Sequence, residues 1–369
     1  MVLMRVLNRE NLLDIISGAT LLGSGGGGSP KDGLSLVEKI FSVATGVELA
    51  SPDEVCDSDY VAMIAGIGSP KALREKGFDV EALYAYDALE RVYWSVGVKF
   101  SYIMPGEIGG FNTITPMYVS ACKKVPVVDC DGNGRAVPEL ATTLYAVYGI
   151  PTSPIVLADK NGNIVIGYPR DPLDTSAGEN IARGFAIAAG MIAAFGTWVV
   201  NGRMMRECLV LNSISKCEGI GKAIREAIKA GRDPVREAAA AINGYELIKG
   251  KITDISTKTV GGFDFGRTTI EGAGPYAGKK LIVDFKNENM IAWSGDGEPL
   301  VIVPDLICLM SVGGEPLTNA DIQVGMEIAV IAAPAPEKWK ASPKGFEVWR
   351  HILEKMGYAG PHKPIKTMV

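Results

Sequence analysis

VPVVDCDGNGRAVPE, residues 125–139, places three carboxylates and one guanidinium directly after a run of β-branched residues. Val125, Val127 and Val128 follow a lysine pair and read as a short strand entering a covered sheet. The strand stops at Asp129. Asp131, Gly132, Asn133 and Gly134 carry turn chemistry, and from Arg135 onward Ala136, Leu140, Leu144 and Tyr148 recur every four residues until Gly149 and Pro151. That spacing predicts a helix. Strand, loop and helix in succession are the unit of an open α/β sheet, whose ligands bind beyond the carboxyl ends of the strands. On this reading Asp129, Asp131 and Arg135 stand at a binding edge. A plainer reading makes Asp131 or Asn133 a helix cap, with Pro138 and Glu139 in the first helical turn; a cap alone does not need two aspartates and an arginine.

Toward the N-terminus, residues 8–22 carry a helical apolar stripe with Asn8 as cap. It runs into LLGSGGGGSPKDG, residues 21–33, with four consecutive glycines, Gly25, Gly26, Gly27 and Gly28. Pro30 suits the first turn of a following helix that contains Leu34, Val37, Ile40 and Phe41. Such a loop can turn backbone N–H groups toward an anion or a carbonyl oxygen. Gly23, Gly25 and Gly28 match G-x-G-x-x-G, but a helix precedes them where a dinucleotide fingerprint needs a strand. Residues 60–67 and 99–104 read as strands and 79–96 and 117–122 as helices. PGEIGGFNT follows the second strand, so Glu107 occupies a strand's carboxyl end as Asp129 does. Asn161-Gly162 marks a hairpin between strands 155–158 and 164–168.

A long helix is expected over 176–195, and the apolar region 181–200, interrupted by Arg183 and glycines, reads as a buried helix rather than a membrane span. From Tyr245 the texture changes to short β-rich runs separated by Gly, Asp and Pro, which suggests a small barrel or sandwich. The chain therefore divides into an α/β domain with a largely parallel sheet, residues 1–170, and a second domain of linking helices and β-structure, residues 171–369.

A net charge of −5 and the lack of any basic run argue against nucleic acid as a partner. The N-terminus shows no apolar core followed by a small-residue cleavage site, so residence in the cytoplasm is expected. Six cysteines without a C-x-x-C pair read as reduced, mostly buried thiols. With only His351 and His362, a Ser-His-Asp triad or a histidine-rich zinc site can hardly be built. Catalysis then falls to carboxylates, backbone amides, Arg, Lys or Cys.

LLGSGGGGSP (21–30), PGEIGGFN (105–112), VVDCDGNGRAVPEL (127–140), VDFKNENMIAW (283–293) and VPDLICLM (303–310) together resemble the S-methyl-thiohydantoin desulfurase family, over nearly the whole chain. The resemblance implies a three-layer α/β N-terminal domain joined to a C-terminal domain built around a small β-barrel. It also implies hydrolysis of an S-methylated thiohydantoin to a hydantoin with release of methanethiol. Cys130 departs from the family expectation of a small residue such as Ala between the aspartates.

For that chemistry the residues suggest Asp129 or Asp131 as general base, Glu107 as second carboxylate, and Arg135 holding a ring carbonyl or a carboxylate. Gly25 to Gly28, Asn112 and Glu139 are the candidate substrate contacts. Two alternatives stand beside this. Glu107, Asp129, Asp131 and Glu139 could gather a hard divalent cation, or Cys130 could act as a nucleophile, although flanking carboxylates deplete its thiolate. Asn287, Glu288 and Asn289 read as a structural turn or inter-domain contact, and Asp264, Arg267 and Lys216 as exposed charges. The other class of function is a non-catalytic binder of a small carboxylate or cyclic amide, or a subunit of a hydantoinase-like assembly. A homo-oligomer is the expectation from base rates.

Overall fold

The computed structural model describes residues 4–365; the outermost ends of the two expected domains, 1–3 and 366–369, lie outside the described residues. Alternation along Tyr60–Gly68 sets the first sheet. Val61, Met63, Ala65 and Ile67 enter one apolar cluster, while Ala62 and Ile64 enter another on the opposite face. Both faces of this strand are buried, so it reads as a continuous apolar run.

The sheet has eight strands in the order Arg5–Leu7, Val47–Ala50, Val127–Val128, Phe100–Met104, Tyr60–Gly68, Ile192–Asn201, Ile155–Ala158 and Ile164–Gly167. Only the four from Val47–Ala50 to Tyr60–Gly68 run parallel, and the others pair antiparallel. Helices Arg9–Leu22, Pro30–Val43, Val80–Trp94 and Thr115–Lys123 supply the cluster on one face, and Thr175–Ala188 packs into that on the other. The result is a three-layer α/β arrangement with a mixed sheet.

Two expected helices are corrected. The segment after Arg135 is an irregular loop, then a single 3-10 turn Leu140–Thr142 and a short helix Leu144–Val147. Its backbone groups find partners elsewhere: Ile108 N donates to Arg135 O, and Val137 N donates to Glu107 Oε2. With those bonds made, an i to i−4 ladder gains nothing there. The apolar region 181–200 splits into helix Thr175–Ala188 and strand Ile192–Asn201, which lies between Tyr60–Gly68 and Ile155–Ala158. A run buried on both faces has no period by which strand and helix can be told apart.

The second sheet is wholly antiparallel, in the order Pro299–Ile302, Glu288–Ser294, Lys280–Lys286, Phe263–Gly272, Tyr245–Val260, Glu327–Ala333, Leu306–Ser311 and Pro316–Leu317. Among the described residues its first and last strands do not pair with each other, so strand pairing does not close this sheet into the expected small barrel. Helix Ser213–Lys229 joins the two halves by packing on Arg9–Leu22, where Arg225 forms an ion pair with Asp14 at 2.7 Å. Among the described residues no helix is long and apolar enough to cross a membrane.

Candidate functional site

The glycine loop sits between the two sheets and is fastened to both. Helix Arg9–Leu22 ends at Gly23, and the next helix, Pro30–Val43, has Pro30 in its first turn, as the sequence predicts, with Ser29 as its side-chain cap. Between them, Ser24 O accepts from Asn289 N and Gly25 O from Asn319 N, each at 2.8 Å, while Gly27 O accepts from both Phe111 N and Asn112 N. A side chain would break this fit: a Cβ on Gly26 would lie 1.9 Å from Glu288 Oε1, and one on Gly27 2.4 Å from Gly109 Cα. The glycines are required because two domains close on the loop from opposite sides.

Under the loop lies a cavity of about 210 Å³. This is smaller than the roughly 300–1,000 Å³ of drug-sized sites and suits one small ring. Gly25 to Gly28, Glu107, Asn112 and Glu139 line it, together with Phe111, Phe195, Trp198, Phe285 and Glu288.

Glu107 and Glu288 reach it from different domains. Glu107 follows strand Phe100–Met104; its Oε1 accepts from Asn112 Nδ2 at 2.7 Å and its Oε2 from Val137 N at 2.9 Å. The Asn112 amide is oriented in turn, because its Oδ1 accepts from Gly66 N. Glu288 begins the strand after a sharp turn at Asn287, whose φ of +55° is one that asparagine tolerates. Its Oε2 has no hydrogen-bond partner among the described residues. Burial raises the pKa of both carboxyls; the field of Glu107 pushes Glu288 further up, and Arg135 opposes the rise at both. The hydrogen bonds from Asn112 and Val137 favour the charged form of Glu107, leaving Glu288 as the carboxyl more ready to hold a proton.

Asp129, Asp131 and Arg135 do not line this cavity. Asp129 Oδ1 accepts from Ile214 N at 2.9 Å and Ser215 N at 3.0 Å, and so caps the distant helix Ser213–Lys229. Asp131 Oδ2 accepts from Asn133 N and Gly134 N, each at 2.7 Å, and ties its own loop. Arg135 is fully buried and donates to the carbonyls of Ala136, Asn289, Pro304 and Asp305 while its guanidinium lies over Trp349. It clamps one domain to the other and contributes positive charge behind the paired glutamates. The expected gathering of Glu107, Asp129, Asp131 and Glu139 around a cation does not form, and among the described residues no three His, Cys, Asp or Glu are placed to hold a metal ion. Cys130 is buried, and both burial and its aspartate neighbours push its thiol pKa well up, against a nucleophilic role.

Glu139 belongs to the cavity wall through an ion pair with Lys286 and a 2.7 Å contact with His351 Nε2. Burial lowers the pKa of Lys286 to about 8. Beside them Arg183 Nε meets Glu179 Oε1 at 2.5 Å, and the Arg183 guanidinium covers the ring of Phe263 at 3.8 Å. Asp264, expected as an exposed charge, lines the cavity.

Glu288 is the principal site residue that sequence reading assigns to structure alone. A signal for it exists in VDFKNENMIAW: Asp284, Lys286 and Glu288 put three charges into a β-rich run, and a charge buried in such a strand needs a partner or a task. No comparable signal marks Trp198, which lies inside an apolar stretch.

Two family models cover the chain in succession. Residues 10–168 match the S-Me-THD-like N-terminal domain and residues 174–365 the S-Me-THD-like C-terminal domain. The backbone is also similar to the X-ray crystal structure of a protein from Chromobacterium violaceum, with a TM-score of 0.85 over 98% of this chain and 100% of that one, at 24% sequence identity. At that identity the likeness carries the fold. No curated protein matches the chain significantly. Because both domain models match in order and leave only short segments unmatched, the chain belongs to the S-methyl-thiohydantoin desulfurase family.

Proposed function

We propose that the cavity binds an S-methylated thiohydantoin and hydrolyses it, with Glu107 and Glu288 as its paired carboxyls. The observation that carries this reading is the meeting of these two acids, Glu288 buried and Glu107 partly so, one from each domain, beneath the glycine loop. Two carboxyls in one low-dielectric site divide into an acid and a base.

Glu107, whose charged form the hydrogen bonds from Asn112 and Val137 favour, takes a proton from water as the water oxygen bonds to the ring carbon bearing the S-methyl group. Protonated Glu288 gives its proton to the ring nitrogen whose C=N bond opens. The tetrahedral centre then collapses. The C–S bond breaks, the new hydroxyl returns its proton to Glu288 as it becomes a carbonyl, and the departing thiolate takes the proton from Glu107. Hydantoin and methanethiol result, and both carboxyls regain their starting states.

The test is methanethiol release from S-methyl-thiohydantoin, followed with a free-thiol reagent. Glu107→Gln and Glu288→Gln should each lower kcat by about 10²–10⁴-fold, the usual worth of general acid or base catalysis. Their thermal unfolding should stay close to that of the parent. No release from the parent chain, with thermal stabilisation by the same compounds, would convert the reading to that of a binding protein.

A further inference from the structure

Trp198 occupies a backbone conformation that a bulky residue rarely adopts. Its φ is +48° in the middle of strand Ile192–Asn201, a strand interior to the first sheet. The pairing shows why. Val61 faces Val200 and Met63 faces Thr197, so Trp198 and Val199 together oppose the single residue Ala62. This is a β-bulge, and the left-handed position in such bulges is usually glycine. An aromatic residue kept there is strained, and such strain persists where the surrounding structure imposes it.

The surroundings do impose it. Thr197 Oγ1 anchors the bulge by donating to Thr152 O at 2.9 Å and Pro154 O at 3.1 Å. Tyr145 stacks on the indole with centroids 4.2 Å apart and planes 4° from parallel, and Phe195 meets it edge-on at 6.4 Å. The ring is thus fixed in position while forming part of the cavity wall. Trp198 is 3% exposed, and its indole N–H has no acceptor among the described residues. A buried indole N–H ordinarily finds a partner.

We infer that Trp198 is a positioning residue for the ligand ring, the bulge holding its indole N–H for donation to a ring carbonyl oxygen. This rests on the reading of the cavity as a cyclic-amide site. An S-methylated thiohydantoin has one ring carbonyl, so a single directed donor distinguishes the two ways round that the ring can enter.

Hydantoin, which cannot lose a thiol, is the binding probe. Titration calorimetry should show Trp198→Phe binding it about tenfold more weakly than the parent, the worth of one hydrogen bond to a buried donor. In turnover of S-methyl-thiohydantoin the loss should fall mainly on KM, with kcat changed less. Should Trp198→Phe fail to fold, ¹⁵N spectra of the parent chain read the same contact. Only five indole N–H signals arise, and one of them must move and exchange more slowly when hydantoin is added. Equal hydantoin affinity in Trp198→Phe, no moving indole signal, or no binding by the parent would each overturn the assignment. Trp198-dependent binding by a chain that releases no methanethiol would uphold it while defeating the hydrolytic reading.

Discussion

Asp129 and Glu288 are both carboxylates nearly sealed from solvent, 5% and 3% exposed, yet their surroundings differ. Asp129 places one oxygen on two amide N–H groups at the start of helix Ser213–Lys229 and joins two elements 85 residues apart. Glu288 lies against the glycine loop, keeps an oxygen without a partner and faces the cavity. The same contrast separates Arg135, whose guanidinium donates to four main-chain carbonyls, from Glu107, whose two bonds leave it in the cavity wall. A buried charge whose hydrogen bonds are all made within the chain serves the architecture. One with capacity left over beside a cavity is available for chemistry.

The sharpest way to break this contrast is Arg135→Met. Removing a guanidinium that satisfies four buried carbonyls should cost about 3–5 kcal/mol of stability. Urea unfolding would register it as a lowered midpoint with unchanged slope. Retained stability would place Arg135 with the site rather than the scaffold.

A smaller effect concerns pH. Burial raises the pKa of Asp131 to about 7, outweighing the N–H groups of Asn133 and Gly134 that favour its charged form. The folded state then holds this proton more tightly than the unfolded chain. The stability it contributes is complete at acid pH and is lost as pH rises from the ordinary carboxylate range through about 7. Urea midpoints measured at pH 5 and pH 8 should therefore differ less in Asp131→Asn than in the parent. An unchanged difference would show that Asp131 does not carry the proton.

The smallest effect is expected at Asp129. Asp129→Ala removes a helix cap, worth about 1 kcal/mol. Thermal unfolding should report that loss, while turnover per folded molecule stays at the parental level. A fall in kcat without loss of stability would return Asp129 to the catalytic set.

Much of this arrangement is legible along the chain. The cap at Asn8, the helix opening at Pro30, the strand–helix alternation from Tyr60 to Lys123 and the Asn161-Gly162 hairpin follow from local periodicity and turn chemistry, which act over a few residues. The glycine loop and Glu107 also stand out, because four glycines in succession and an acid at a strand end are costly without a use. Local pattern fails where burial is two-sided or where contacts are distant. Residues 192–201 have no period to mark them as a strand, and a Trp at a left-handed bulge position contradicts every local preference.

By its own pattern, then, the amino-acid sequence determined the α/β class, the position of the glycine loop and an acid, Glu107, at a strand's carboxyl end. Which acids meet was decided only when the second sheet docked on the first. That docking brings Glu288 to Gly26 and Glu107, closes Arg135 against Asn289 and Asp305, and turns Asp129 toward a helix end. The reason is physical: a carboxylate's role depends on which donors its oxygens find after burial, and those donors come from segments far away in the chain.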